Sequence, residues 1–171
     1  MTIAIFDITL TPYRRVLSSL ADCLDLGLAH CMKQGVDPEN IKFARLTEDM
    51  NPFDFQVQAV VHHCVNGAKA LVEGTLGPVE LQDMTYVELT QYLRAANRAL
   101  SEFSPSDVNE AAGRIVTFRN GEFSLQFTTE NFVLAFSLPN LYFHATTAYD
   151  ILRMRGVMLG KKDYLGILPI K

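Results

Sequence analysis

Ile3, Phe6, Leu10, Tyr13, Leu17, Leu20, Leu24 and Cys31 recur in alternating steps of three and four residues. That spacing stacks side chains on one face of an α-helix and suits no other regular element. A helix this long must bury its stripe against other helices, so the opening of the chain already demands a bundle. Gly27 fills the one missing place in the series, where a neighbouring helix can approach closely. Thr11-Pro12 interrupts the run, because proline lacks an amide proton and crowds the preceding turn. The expectation there is a kink, or a short helix and a fresh start with Thr11 as N-cap and Pro12 in the first turn. Gly35 ends the helix, and a short helix follows from Pro38 to Leu46.

A second helix begins near Pro52, with Asp49 or Asn51 as cap. Its apolar face is Val57, Val60, Val61, Cys64, Ala68, Leu71 and Val72, and Gly74, Gly77 and Pro78 close it. The third opens at Thr85-Tyr86-Val87-Glu88, a capping box, and runs through Leu89, Leu93, Ala96 and Leu100 to Ser104-Pro105. The period then changes to two. Val116, Phe118, Phe123, Leu125 and Phe127 alternate with polar residues around Asn120-Gly121, a favoured pair for a two-residue type I′ turn. In that register Phe118 faces Phe123 and Val116 faces Leu125, while Arg119 faces Glu122 and Thr117 faces Ser124. A lone hairpin is marginal in water, so its apolar face must pack on the helices or on a second subunit. The last helix starts near Thr129 and runs to Arg155, with Pro139 kinking or splitting it and Gly156 as C-cap. The tail from Val157 to Lys171, with Leu165, Ile167, Leu168 and Ile170, packs on the surface or on a partner. The reading is mainly α: a four-helix bundle with one β-hairpin inserted before the last helix, residues 1–171 forming one domain.

At 171 residues and 49% hydrophobic, with 11 Phe, such a chain can bury a full core without staples. The net charge of −4 and the lack of a basic stripe argue against a nucleic-acid partner. No apolar run approaches the roughly 18 residues of a membrane span. The odd set Cys23, Cys31 and Cys64 has no CxxC spacing, which argues against a disulfide framework or structural zinc and for small core residues. Met1 to Leu10 contains Asp7 and no Lys or Arg, so neither signal nor transit peptide is expected. A reducing cytoplasm is the simplest compartment.

Chemistry-bearing templates are sparse. There is no glycine-rich phosphate loop, HExxH, GxSxG or EF-hand loop. Phe132, Phe136, Asn140, His144, Thr147 and Ile151 are three or four apart, so three polar side chains interrupt an apolar stripe. Buried polar groups need partners. The pattern fits a hydrogen-bonded cluster that fixes helix packing, a small-molecule pocket, or a metal site, although Asn is a poor ligand beside His for transition metals. Gln58, at the edge of the second helix's apolar face, could reach a site between helices. His62 and His63 diverge by about 100° on a helix and lie off its apolar face, which places them at a solvated boundary. Asp49 and Arg45 read as a salt bridge or cap.

The segments LPNLYFHATTAYDILR (138–153), GVMLGKKDYLG (156–166), ARLTEDMNPFDFQVQ (44–58) and DITLTPYRRVLSSL (7–20) resemble an uncharacterised bacterial family, domain of unknown function 1993. That family is placed in the DinB/YfiT-like superfamily of four-helix bundles, whose members are often homodimers. The resemblance implies a divalent metal held by one histidine from the second helix and an HxxxH pair on a later one, used in some members for thiol S-transfer. His144 matches the second position of that pair and Asn140 the first, while Gln58 or His62 would stand for the helix-two histidine. The expectation is a homodimer with a small polar ligand pocket built by His144, Asn140, Gln58 and Thr147. No cofactor is expected; where a metal is bound, zinc or nickel would sit on His144, His62 and Asp49. The alternatives are a divergent metal-dependent thiol S-transferase or hydrolase, and a structural or regulatory dimer.

Overall fold

The computed structural model describes residues 4–168 and 170; Ile3, the first member of the opening stripe, and Pro169 and Lys171 of the tail lie outside the described residues. Four long helical segments form a ring. They are α1 (Ile5–Gln34), the run α3 (Phe53–Val61), π turn His62–Asn66 and α4 (Gly67–Glu73), then α5 (Tyr86–Ala99), and the run α7 (Thr129–Asn131), π turn Phe132–Ser137 and α8 (Leu138–Met154). α1 packs on α5 and α8, and α3 packs on the same two helices. Short helices α2 (Glu39–Lys42), α6 (Pro105–Asn109) and α9 (Lys161–Leu165) cover the ends and one seam. No helix among the described residues is long and apolar enough to cross a membrane.

The opening stripe becomes the core: Leu10, Tyr13, Leu17, Leu20, Leu24 and Cys31 are all buried. α1 is one uninterrupted helix, however. It starts at Ala4 and accommodates Pro12 without a fresh start at Thr11. Buried Leu10 and Tyr13 on either side of the proline keep the helix continuous there, their burial offsetting the roughly 3 kcal/mol that an interior proline costs. Gly35 stops the helix in the left-handed conformation, with Val36 N–H bonded to Cys31 O at 3.0 Å. The Thr85–Glu88 capping box forms as the sequence implies. Asp49 and Asn51 do not cap α3, whose N-cap is Pro52. Asp49 instead accepts from Thr47 Oγ1 at 2.9 Å, and Arg45 bonds the Met50 carbonyl. Burial pushes the Cys23 thiol up to about 12 and raises Cys31 and Cys64, as suits inert core thiols.

The hairpin forms from β2 (Ile115–Asn120) and β3 (Phe123–Thr128), but its register is two residues away from the one expected. Asn120 pairs with Phe123, Phe118 with Leu125 and Val116 with Phe127. The loop is therefore Gly121-Glu122, with Gly121 at φ +59° as the first central residue of a type II′ turn. A two-residue slip keeps every side chain on its face. The shift brings Phe127 over Phe132 and Phe136, where the rings pack, and leaves Phe123 at the rim. A third strand was not foreseen: β1 (Thr75–Leu76) pairs parallel with β2, tying the end of α4 to the hairpin. In the tail, α9 lies on α1, and Ile167 and Ile170 are exposed.

Gly27 does sit at a close helix approach. A Cβ there would lie 2.2 Å from the Tyr86 hydroxyl and 3.0 Å from Leu152 Cδ2. Tyr86 is fully buried and donates to Leu24 O at 2.9 Å, so it cannot step aside without losing that bond. Alanine would gain up to about 1 kcal/mol of helix propensity, against about 1–3 kcal/mol each for overpacking and for an orphaned buried hydroxyl. Gly27→Ala is therefore expected to destabilise by about 2 kcal/mol, read as a lower urea midpoint at unchanged slope.

Candidate functional site

Both π turns face the same point of the core. A π turn inserts one residue into an α-helix, leaves carbonyls without their usual partners and rotates everything beyond it. Ser137, the last residue of one turn, donates to the carbonyl of His63 in the other at 3.2 Å, and its hydroxyl also bonds the Tyr13 hydroxyl of α1. All three groups are buried. Gly67 permits this contact, because a Cβ there would lie 3.1 Å from Ser137 Oγ and 3.3 Å from the Tyr13 hydroxyl.

The junction carries three imidazoles. His63 stacks on His144 of α8, with ring centroids 5.7 Å apart and planes 14° from parallel, and His62 meets His63 edge-on at 5.3 Å. Contrary to the boundary position expected from an α-helical wheel, His62 and His63 are both buried, at 6% and 5% exposure. The helix is buried all round at this point, from Gln56 to Cys64, so no angle on the wheel reaches solvent there. Burial, reinforced by the neighbouring imidazoles, lowers His63 to about 3 and His144 to about 4, and burial lowers His62 as well. All three rings are neutral at pH 7.

Their tautomers follow from their partners. Gln56 donates its amide N–H to Asn51 O at 2.9 Å, which turns its carbonyl oxygen toward His144. His144 Nδ1–H donates to that oxygen at 2.8 Å, leaving Nε2 with the lone pair. His62 Nδ1 accepts from the Asn66 amide at 3.0 Å, and its ring also meets the Gly77 backbone. His63 Nδ1 is buried with no partner among the described residues. Such an orphan is rare in a native fold.

Sequence reasoning placed His144 here and missed His63 and Gln56. Gln58 is buried but faces elsewhere: its amide donates to Gln82 O at 3.0 Å and accepts from Gln82 N at 2.8 Å. Asn140 lines the cleft described below, but its amide turns to its own helix and donates to Phe136 O at 2.7 Å. Thr147 is likewise bonded within its helix, to Phe143 O at 2.8 Å. Gln56 shares a four- and seven-residue spacing with Val60 and His63. Every residue from Gln56 to Cys64 is buried, so no polar face singled it out.

The residues do not fit the three-histidine metal set that the resemblance implies. Carboxamides stand at two of its places, and both are committed to backbone groups. His62 is held by Asn66, and Asp49 is bonded in its own loop. Among the described residues no three His, Cys, Asp or Glu side chains converge as metal ligands. The site offers instead neutral imidazoles beside an apolar cleft of about 370 Å³, walled by Phe55, Pro78, Phe118, Phe123, Leu125 and Phe136. His62, His63 and Asn140 are its polar lining.

This fold has known relatives. The family model described as "Domain of unknown function (DUF1993)" matches residues 5–165. The crystal structure of a DinB family member protein from Shewanella denitrificans is similar, with a TM-score of 0.84 and 31% identity over 97% of this chain and 94% of that one. No curated protein matches. The match spans the whole helical ring and the hairpin, and the chain belongs to the DUF1993 family of DinB-like proteins.

Proposed function

We propose that this chain is a DinB-like small-molecule-binding protein whose ligand enters the cleft between the hairpin and α8. The observation that carries this reading is His63: a buried imidazole with an unpartnered nitrogen, stacked on a second imidazole that Gln56 orients. Apolar walls with a few fixed polar groups are the usual make-up of a small-molecule site. Neutral imidazole beside hydrocarbon favours an uncharged ligand that brings an apolar body and one hydrogen-bonding group.

Phenol is a suitable probe. Titration followed by NMR is expected to give saturable shifts at Phe118, Phe136 and the Asn140 amide. His63→Phe keeps a ring in place but removes the hydrogen-bonding nitrogens, and should weaken binding roughly tenfold. Shifts that never saturate would sink the reading. The metal-dependent transferase remains the rival. Near-stoichiometric zinc or nickel in protein purified without chelator, lost in His63→Ala and His144→Ala, would replace the ligand pocket with a metal centre.

The homodimer belongs to the same reading, supported by exposed Ile115 (52%), Leu134 (56%) and Phe143 (56%) around the hairpin and last helix. Light scattering at micromolar concentration is expected to report twice the chain mass of 19.1 kDa, and a monomer would remove the dimer from the proposal.

The imidazoles also set a pH dependence. The folded values of about 3 and about 4 lie below the ordinary 6.5, so the unfolded chain takes up protons first as pH falls. Their contribution to stability is complete above 6.5 and is lost progressively as pH drops through that value toward the folded ones. The melting temperature should fall between about pH 7 and about pH 5, with a shallower slope in His63→Phe. Equal slopes would show that His63 is not held neutral by the fold.

A further inference from the structure

The seam between α1 and α5 carries a second surface, remote from the imidazoles, which lie on the seam between α3 and α8. Arg14, Ser18 and Asp22 recur every four residues on one face of α1, and Arg94, Asn97 and Arg98 share one face of α5, with Ser101 in the 3-10 turn that follows it. The two faces line adjoining clefts of about 490 and 400 Å³ that have Arg14, Ser18 and Asn97 in common. α9 brings Lys162 to one end.

Charge is unevenly settled in this groove. Of its carboxylates, Asp22 pairs with Arg94 at 3.6 Å, while Asp163 accepts the neutral Gly160 N–H at 2.7 Å and keeps its charge. Arg94 also binds Asp25. Among the described residues no carboxylate pairs with Arg14, Arg15, Arg98 or Lys162. Four cations without an ion-pair partner thus line the two adjoining clefts against the single unpaired carboxylate of Asp163, an excess of positive charge on a chain whose net charge is −4. One of them is also held in place: Asn97 donates to Ser18 Oγ at 2.6 Å and accepts from Arg14 Nε at 3.4 Å. That tether leaves the outer nitrogens of the Arg14 guanidinium free.

We infer that this groove binds a phosphate monoester. Guanidinium groups approaching from two helices suit a tetrahedral dianion, whose oxygens can accept from several donors at once. The hydroxyls of Ser18 and Ser101 add neutral donors. Leu26 and Ile167, the latter 93% exposed, offer an apolar end for the organic group. The sequence hides the site because its cations come from three distant segments and form no stripe in any one of them.

The test titrates butyl phosphate, inorganic phosphate, succinate and chloride at matched ionic strength, following the Asn97 amide and Arg14 Nε–H by NMR. Butyl phosphate should saturate, and should bind more tightly than inorganic phosphate. Arg14→Ala and Arg98→Ala should each weaken it roughly tenfold, and Arg98→Lys by less, while Arg119→Ala in the hairpin should bind as the parent does. Arg14 and Arg98 are exposed, so these variants retain the core, and the spectra report folding directly. Equal shifts with chloride, tighter binding of succinate, an absence of saturation, or unchanged affinity in both alanine variants would each overturn the assignment.

Discussion

The structure turns on a short hydrogen-bonded chain at its centre, from the Tyr13 hydroxyl through Ser137 to the carbonyl of His63. Each π turn frees backbone acceptors in a region with no access to water, where an unmet polar group costs about 1–3 kcal/mol. Ser137 meets that demand for one turn, and Tyr13 ties the arrangement to α1, the longest helix. Gly67 leaves the space, and the Cys64 thiol faces the Tyr13 carbonyl at 3.8 Å. The spacing of three helical segments is thus set by one contact, and the imidazoles on either side of it inherit their positions.

Those positions explain why the histidines are neutral. Solvation that would support a charged imidazole is absent, and each ring sits near another that would repel a second charge. Gln56 supplies a neutral acceptor where a carboxylate would have favoured protonation. The site is consequently a set of neutral rings beside hydrocarbon, suited to hydrogen bonding and not to binding charge.

Much of the fold could be read from the chain because one-sided patterns report one-sided burial. The α1 stripe, the Gly27 gap and the Thr85–Glu88 box each correspond to a local geometric rule, and each is present, and the hairpin forms although Phe123 and Leu125 on its apolar face stay exposed. The hairpin register was ambiguous by two residues because such a slip preserves the alternation; what selects it is Phe127 meeting Phe132 and Phe136, a contact distant in sequence from the turn. The imidazole site was legible only at His144. α3 is buried all round, so polarity along it carried no directional signal. His62 and His63 at its end are enclosed for the same reason, whatever angle a helical wheel assigns them. Gln58, the plausible reach from that helix, found backbone partners at Gln82.

The parallel strand β1 covers one side of β2, which leaves β3 as the open border of the sheet. Its sequence, Phe123-Ser-Leu-Gln-Phe-Thr128, carries no lysine, no proline and no charge, the usual guards of such a border. Alternate backbone amides and carbonyls along it point away from β2 toward solvent. A strand from another molecule could extend the ladder there without disturbing any existing bond, so self-association by sheet extension is a hazard this architecture leaves unblocked.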